Sequence, residues 1–227
     1  MKPKATWGGK RPGAGRPRKP RSIPRNVRRP ELSEQHPVHV SMPVVEEVGR
    51  LRRPAAYDAI RRAVATCIGR TDFRIVHVSI QRDHLHLLVE ADDKRALANG
   101  VRAFMISATQ NLNGLTGRRG KVFPRRYQAV QLTTPQEVRA GLCYVLNNWR
   151  RHREDREARA QVDRYSSGVL FDGWAGKTRP FELPAGYEPL PVAGAKTWLL
   201  TTGWRERHPL IGFGETPVPL AGCQPPT

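Results

Sequence analysis

Two runs, FRIVHVSIQ at residues 73–81 and HLHLLVEA at residues 84–91, are rich in aliphatic and β-branched side chains and are separated only by Arg82 and Asp83. Two polar residues cannot form a crossover, so the pair reads as an antiparallel β-hairpin, and this is the strongest constraint on the fold. Ahead of the hairpin, HPVHVSMPVV alternates from His36 and predicts a first strand. Between them, AAYDAIRRAVATCIG, about residues 55 to 69, sets Ile60, Val64, Cys67 and Ile68 at helical spacing. After the hairpin, RALANGVRAFMISATQNLNGL predicts a long helix that Gly114 or Gly117 would stop. A short strand is expected near Tyr127 to Leu132. Thr134 and Pro135 then have the chemistry of a helix cap and first helical position, opening a helix that should run through VRAGLCYVLNNWRRH and past Arg153. The order βαββαβα is that of an α+β fold, a ferredoxin-like antiparallel sheet with helices packed on it.

A length of 227 residues allows one core domain with tails and leaves little room for a second. The boundaries read as a basic arm at residues 1–35, a core at 36–155 and a carboxy-terminal extension at 156–227. A net charge of +19 far exceeds what solubility needs, and its natural complement is a polyanion, with nucleic acid foremost. No apolar run approaches the ~18 residues of a spanning helix, and no membrane role is expected. MKPKATWGGKRPG lacks the apolar stretch of a secretory signal, so a cytoplasmic location is expected. Three widely spaced cysteines, Cys67, Cys143 and Cys223, fit neither a disulfide framework nor a CxxC zinc ribbon; they read as free thiols, the first two in helices.

The arm has no acidic residue before Glu31 and is interrupted by Gly and Pro, so it cannot bury enough apolar surface to fold alone. Its string GAGRPRKPR, with Arg16, Arg18 and Lys19, is similar to an AT-hook that lies in a narrow A·T minor groove. The alternative is a sequence-independent arm that gains affinity for duplex DNA by counterion release.

The chemistry-bearing residues lie on the second hairpin strand and the last core helix. His84 and His86, two apart on a strand, project from one face while Leu85 points the other way. Two imidazoles at that spacing can grip one divalent ion, although strand histidines also line ordinary solvated sheet faces. Tyr144 and Asn148 are four apart on a helix and share one face, and Leu142, Val145, Leu146 and Trp149 can supply the buried side. A helix tyrosine is more often a packing residue, so each half of the pattern is weak and the two together are stronger.

The combined pattern resembles the single-tyrosine HUH transposases, the insertion-sequence-200-like group and especially the REP-associated tyrosine transposases. The resemblance spans roughly His36 to Arg153 and rests on HLHLLVE, VFPRRYQAVQL and YVLNNWRRH. It implies that His84 and His86 ligate a catalytic metal and that Tyr144 is the nucleophile. It also implies that Asn148 is the polar ligand one turn later. Many relatives have Asn-Pro at the end of this motif, whereas Asn148 is preceded by Asn147 and followed by Trp149; helical geometry favours Asn148 over Asn147. The implied activity is cutting and rejoining of single-stranded DNA at hairpin-forming palindromes through a 5′-phosphotyrosine link. Two imidazoles and an amide oxygen suit Mg²⁺ or Mn²⁺. No ATP is needed, in keeping with the absence of a P-loop motif. No second tyrosine sits three or four residues after Tyr144, which speaks against two-tyrosine replication initiators. Strand exchange with one nucleophile per chain is most easily done by a homodimer, as in relatives, with a monomer as the alternative.

Other basic residues have open readings. Arg125, Arg126 and Tyr127 either contact a DNA hairpin through phosphate pairing and stacking or form a solvated turn. Arg150, Arg151, His152 and Arg153 either track a phosphate backbone or complement the helix dipole. His36, His39 and His77 are read as structural, His77 at most supporting the site. Glu90 and Asp92 are expected to be solvated. Two further functions compete: a domesticated DNA-binding protein that no longer cuts, and a ferredoxin-like RNA-binding module. The second predicts stacking aromatics on the central strands, where only Phe73 is present.

Overall fold

A computed structural model describes residues 31–155, 162–176, 185–218 and 220. The core elements are β1 (Val38–Pro43), α1 (Pro54–Ala65), β2 (Phe73–Ile80), β3 (His84–Ala91), α2 (Lys94–Thr116), β4 (Gln128–Gln131) and α3 (Pro135–Arg151). This is the expected βαββαβα order, with the four strands antiparallel in spatial order β2-β3-β1-β4. The hairpin register pairs Ile80 with Leu85 and Ser79 with His86. A bulge at Val76 lets two residues, Val76 and His77, oppose Leu88.

Alternation along the strands divides the sheet into two faces. On one, Val38, Val40, Met42, Val78, Ile80, Leu85, Leu87 and Val89 form a core with α1 and α2. At its centre Phe73 lies against Gly100 of α2, so closely that a Cβ at Gly100 would meet the Phe73 ring at 2.1 Å. On the other face Val76 and Leu88 join Val138, Leu142, Val145 and Leu146 of α3. His84 and His86 fall on this second face, which is how the strand pleat delivers them to α3.

Local chemistry explains where the helices begin and end. Pro54 opens α1 at a position where its missing N–H costs nothing. Asp93 caps α2 by accepting from the Arg95 and Ala96 N–H groups. Gly117 ends α2 in a left-handed conformation at φ 65°, while Gly114 stays inside the helix. Thr134 and Glu137 form a reciprocal capping box on α3. Contrary to the expectation that it continues past Arg153, α3 stops at Arg151. Arg153 turns left-handed at φ 56°, and the Glu154 N–H reaches back to the Trp149 carbonyl. Cys67 lies in the turn after α1 rather than within it, and Cys143 is buried in α3. The charged stretch expected to continue as a helix after Asp155 falls largely outside the described residues.

The carboxy-terminal segment packs on the far side of α3. Trp174, Leu199, Leu200, Trp204 (in α4, Trp204–Arg207) and Ile211 join the α3 core, and a small parallel pair links β5 (Trp174–Ala175) to β6 (Ile211–Gly212). Consequently every residue from Leu142 to Trp149 is buried, not only the sheet-facing ones. Glu90, read from sequence as solvated, is buried: it accepts from the Lys196 and Thr197 N–H groups and pairs with Arg74 at 3.2 Å. Arg52 and the buried Asp163 make a two-pronged pair at 2.8 Å on each arm. Among the described residues, no helix is long and apolar enough to cross a membrane.

Candidate functional site

Three elements meet at one end of the second sheet face. In the β1/β3 register, Ser41 pairs with His86 and Pro43 with His84, so His39, opposite Leu88, lies diagonal to His86 on the same face. The His84 and His86 rings are 4.7 Å apart and nearly perpendicular. Tyr144 stands edge-on to His86 at 5.1 Å and to His39 at 5.5 Å. Tyr144 also packs against Leu220 and Ala140. One turn on, Asn148 is fully buried, and neither its Oδ1 nor its Nδ2 has a partner among the described residues. Asn147, by contrast, donates to the Gly212 and Glu215 carbonyls at 3.0 and 2.9 Å and so ties down the carboxy-terminal segment. Among the described residues, both amide atoms of Asn148 thus stay uncommitted, whereas Asn147 commits its Nδ2 and leaves only Oδ1 without a partner.

Each strand histidine has an outer partner on one ring nitrogen. The Nδ1 of His84 is 2.6 Å from the Asp83 carboxylate. The Nδ1 of His86 is 3.0 Å from Nε2 of His39, with the two rings stacked. The Nε2 of His86 is buried and has no partner among the described residues. Burial, reinforced by the neighbouring His84, His39 and His152, holds His86 well below the usual imidazole range, and burial with His84 pushes His39 down to about 4. Both are neutral at physiological pH. The hydrogen bond from His84 in turn lowers the Asp83 carboxyl, keeping it ionised. His152, one turn beyond Asn148, stands 5.1 Å from His84. Its pKa is lowered by partial burial and then by His84.

A divalent metal fits these residues on physical grounds. Among the described residues, Nε2 of His86 and the desolvated amide of Asn148 lie unsatisfied in a buried site beside His84, a costly arrangement unless a ligand completes it. Among the described residues, no three His, Cys, Asp or Glu side chains are grouped to hold a metal, so an amide is the available third donor.

The remaining basic residues fall elsewhere. Arg126 and Tyr127 line a groove of about 660 Å³ between α2 and the segment before β4, together with Arg102, Met105, Ile106 and Lys121. Arg125 is exposed beside it. Arg150 is tied back onto the chain: Nε donates to the Phe213 carbonyl at 2.7 Å, Nη1 pairs with Asp155, and the guanidinium lies over Trp149. Arg151 is exposed. Arg16, Arg18 and Lys19, with the AT-hook-like string, lie outside the described residues.

Sequence reasoning passed over His39 and Asp83. His39 had been read as structural, yet it touches both His86 and Tyr144; the signal was its place on an alternating strand whose pairing with β3 only the register reveals. Asp83 had been read as a turn residue, and its position immediately before His84 was the available clue. His77, by contrast, is structural as expected, bonded to Ser167 at 3.0 Å and packed against Phe171. The RNA-binding alternative loses its surface. Phe73 is buried under Gly100, every residue of β3 is buried, and α3 covers the other sheet face.

No protein-family model and no curated protein matches the chain. Among solved structures, it is similar to a REP-associated tyrosine transposase bound to a REP hairpin, with a TM-score of 0.45 and 13% identity over 55% of this chain and 72% of that one. It is also similar to a candidate transposase from Deinococcus radiodurans R1, with a TM-score of 0.35 and 15% identity over 61% of this chain and 96% of that one.

Proposed function

We propose that this chain is a metal-dependent, single-tyrosine HUH endonuclease and strand transferase that cuts and rejoins single-stranded DNA beside hairpin-forming palindromes. The observation that carries the reading is that Tyr144 and His152, one turn to either side of Asn148 of α3, stand against His86 and His84, while the Asn148 amide is buried with no partner among the described residues. His84, His86 and Asn148 would hold Mg²⁺ or Mn²⁺, which when bound supplies Lewis-acid polarisation of the scissile phosphate.

The chain's own residues perform the rest. The Tyr144 oxygen attacks phosphorus, forming a tyrosine O–P bond as the P–O3′ bond of the DNA breaks. The phenol proton is lost from the nucleophile and the departing 3′-oxygen takes up a proton, giving a free 3′-hydroxyl and a 5′-phosphotyrosine. Attack of a second 3′-hydroxyl on that link reverses the step and rejoins DNA, conserving bond energy without ATP. The burial of Tyr144 between His86, His39 and Leu220 restricts water at the nucleophile, which protects the covalent link from hydrolysis.

In this proposal the basic arm, residues 1–35, contacts duplex DNA by counterion release, and Arg125, Arg126 and Tyr127 contact the hairpin. Exchange of two strand ends is expected of a homodimer. The test is incubation with a panel of hairpin oligonucleotides and Mg²⁺ or Mn²⁺. The expected result is metal-dependent nicking that Tyr144→Phe abolishes. Cleavage that survives Tyr144→Phe, or none across the panel, would reject the proposal in favour of a non-cutting DNA-binding protein.

A further inference from the structure

His39 is fully buried, it is the one side chain among the described residues bonded to Nδ1 of His86, and the strand pleat aims it there from β1. Its function depends on where one proton sits. A hydrogen bond holds one proton, so in the 3.0 Å contact between His39 Nε2 and His86 Nδ1 one nitrogen donates and the other accepts. If His39 donates it, the proton of His86 must sit on Nε2, the atom a metal would need. If His86 donates it, Nε2 of His86 carries a bare lone pair.

The neighbouring pair settles which arrangement makes a matched site. The Asp83 carboxylate accepts from Nδ1 of His84 at 2.6 Å, which leaves Nε2 as the nitrogen His84 can turn to a metal. For two imidazoles to offer lone pairs to one ion, His86 must do the same, and its acceptor is His39. We propose that His39 is a positioning residue that accepts the Nδ1 proton of His86, fixing both the ring's orientation and the tautomer that can bind metal. Asp83 performs the same task for His84. Outer partners of this kind fix ligand tautomers and raise ligand basicity in metal sites. The inference rests on the metal-site reading above.

The experiment uses the full chain. In metal-free protein with ¹⁵N-labelled histidine, the imidazole nitrogen shifts report which nitrogen of His86 is protonated, and Nδ1–H is expected. In parallel, Mn²⁺ dissociation constants are measured by electron paramagnetic resonance for wild type, His39→Phe and His39→Gln. Phenylalanine keeps a packed ring but cannot accept a proton, and should weaken Mn²⁺ binding about ten- to a hundredfold. Glutamine can present an amide oxygen from the same position, and should recover most of that loss.

A proton on Nε2 of His86 in metal-free wild type, or His39→Phe binding Mn²⁺ as tightly as wild type, would overturn the inference while leaving the metal site standing. Wild-type protein that binds no Mn²⁺ would overturn both. Should His39→Phe fail to fold, the tautomer in the unmutated chain and the His39→Gln affinity decide the matter.

Discussion

Asn148→Ala separates a structural amide from a functional one, because the two roles predict opposite signs. Asn148 is fully buried in α3, and neither amide atom has a partner among the described residues. Truncation to alanine removes roughly 25 Å³, a cavity cost of about 0.6 kcal/mol at ~24 cal/mol per Å³. Alanine's better helix propensity returns about half a kcal/mol, so these two effects cancel. What remains is relief from burying a polar group without a partner, about 1–3 kcal/mol. In EDTA the variant should therefore be more stable than wild type, melting roughly 2–12 °C higher at about 2–4 °C per kcal/mol for a chain of this size. In Mn²⁺ at a hundredfold its dissociation constant, wild type should gain about 2.7 kcal/mol that the variant lacks, closing or reversing the gap. Thermal unfolding followed by circular dichroism under both conditions provides the assay. A variant less stable than wild type in EDTA, or one that gains as much from Mn²⁺, would refute the reasoning.

Glu90→Ala should destabilise the protein by about 3 kcal/mol in urea titrations, because it leaves Arg74 without its buried partner and frees the Lys196 and Thr197 N–H groups. A change under 1 kcal/mol would mean that the carboxy-terminal segment is not anchored there. Burial lowers His77 from 6.5 to about 4, so between these values the unfolded chain binds a proton that the folded chain does not. Its contribution is intact above pH 6.5 and lost as pH falls toward 4, about 2 kcal/mol between pH 7 and 4.5. His77→Asn should lose less stability over that interval, as measured by guanidinium unfolding; an identical pH slope would exclude His77 as a source.

How much of this was legible in the sequence depends on how local each cause is. The hairpin, the α3 capping box and the face shared by Tyr144 and Asn148 are set by residues within about one turn or pleat of each other, and pattern alone reveals them. The placing of His39 beside His86 was not legible, because that contact spans 47 positions and depends on strand register. Glu90 was misjudged for a related reason. It accepts from the Lys196 and Thr197 N–H groups of the carboxy-terminal segment, more than 100 positions away, so a charge expected in solvent became a buried anchor. The same segment buries the outer face of α3, which no amphipathic pattern within the helix discloses.

The central claim is that the Tyr144 oxygen becomes covalently joined to DNA, and it can be tested at that atom. A single-stranded hairpin oligonucleotide that is nicked in Mn²⁺ would be incubated with the protein, the mixture denatured and proteolysed, and the nucleotide-bearing peptide sequenced by tandem mass spectrometry. The account predicts a 5′-phosphate ester on Tyr144. An adduct on any other residue, or nicking with no covalent protein–DNA link, would contradict it.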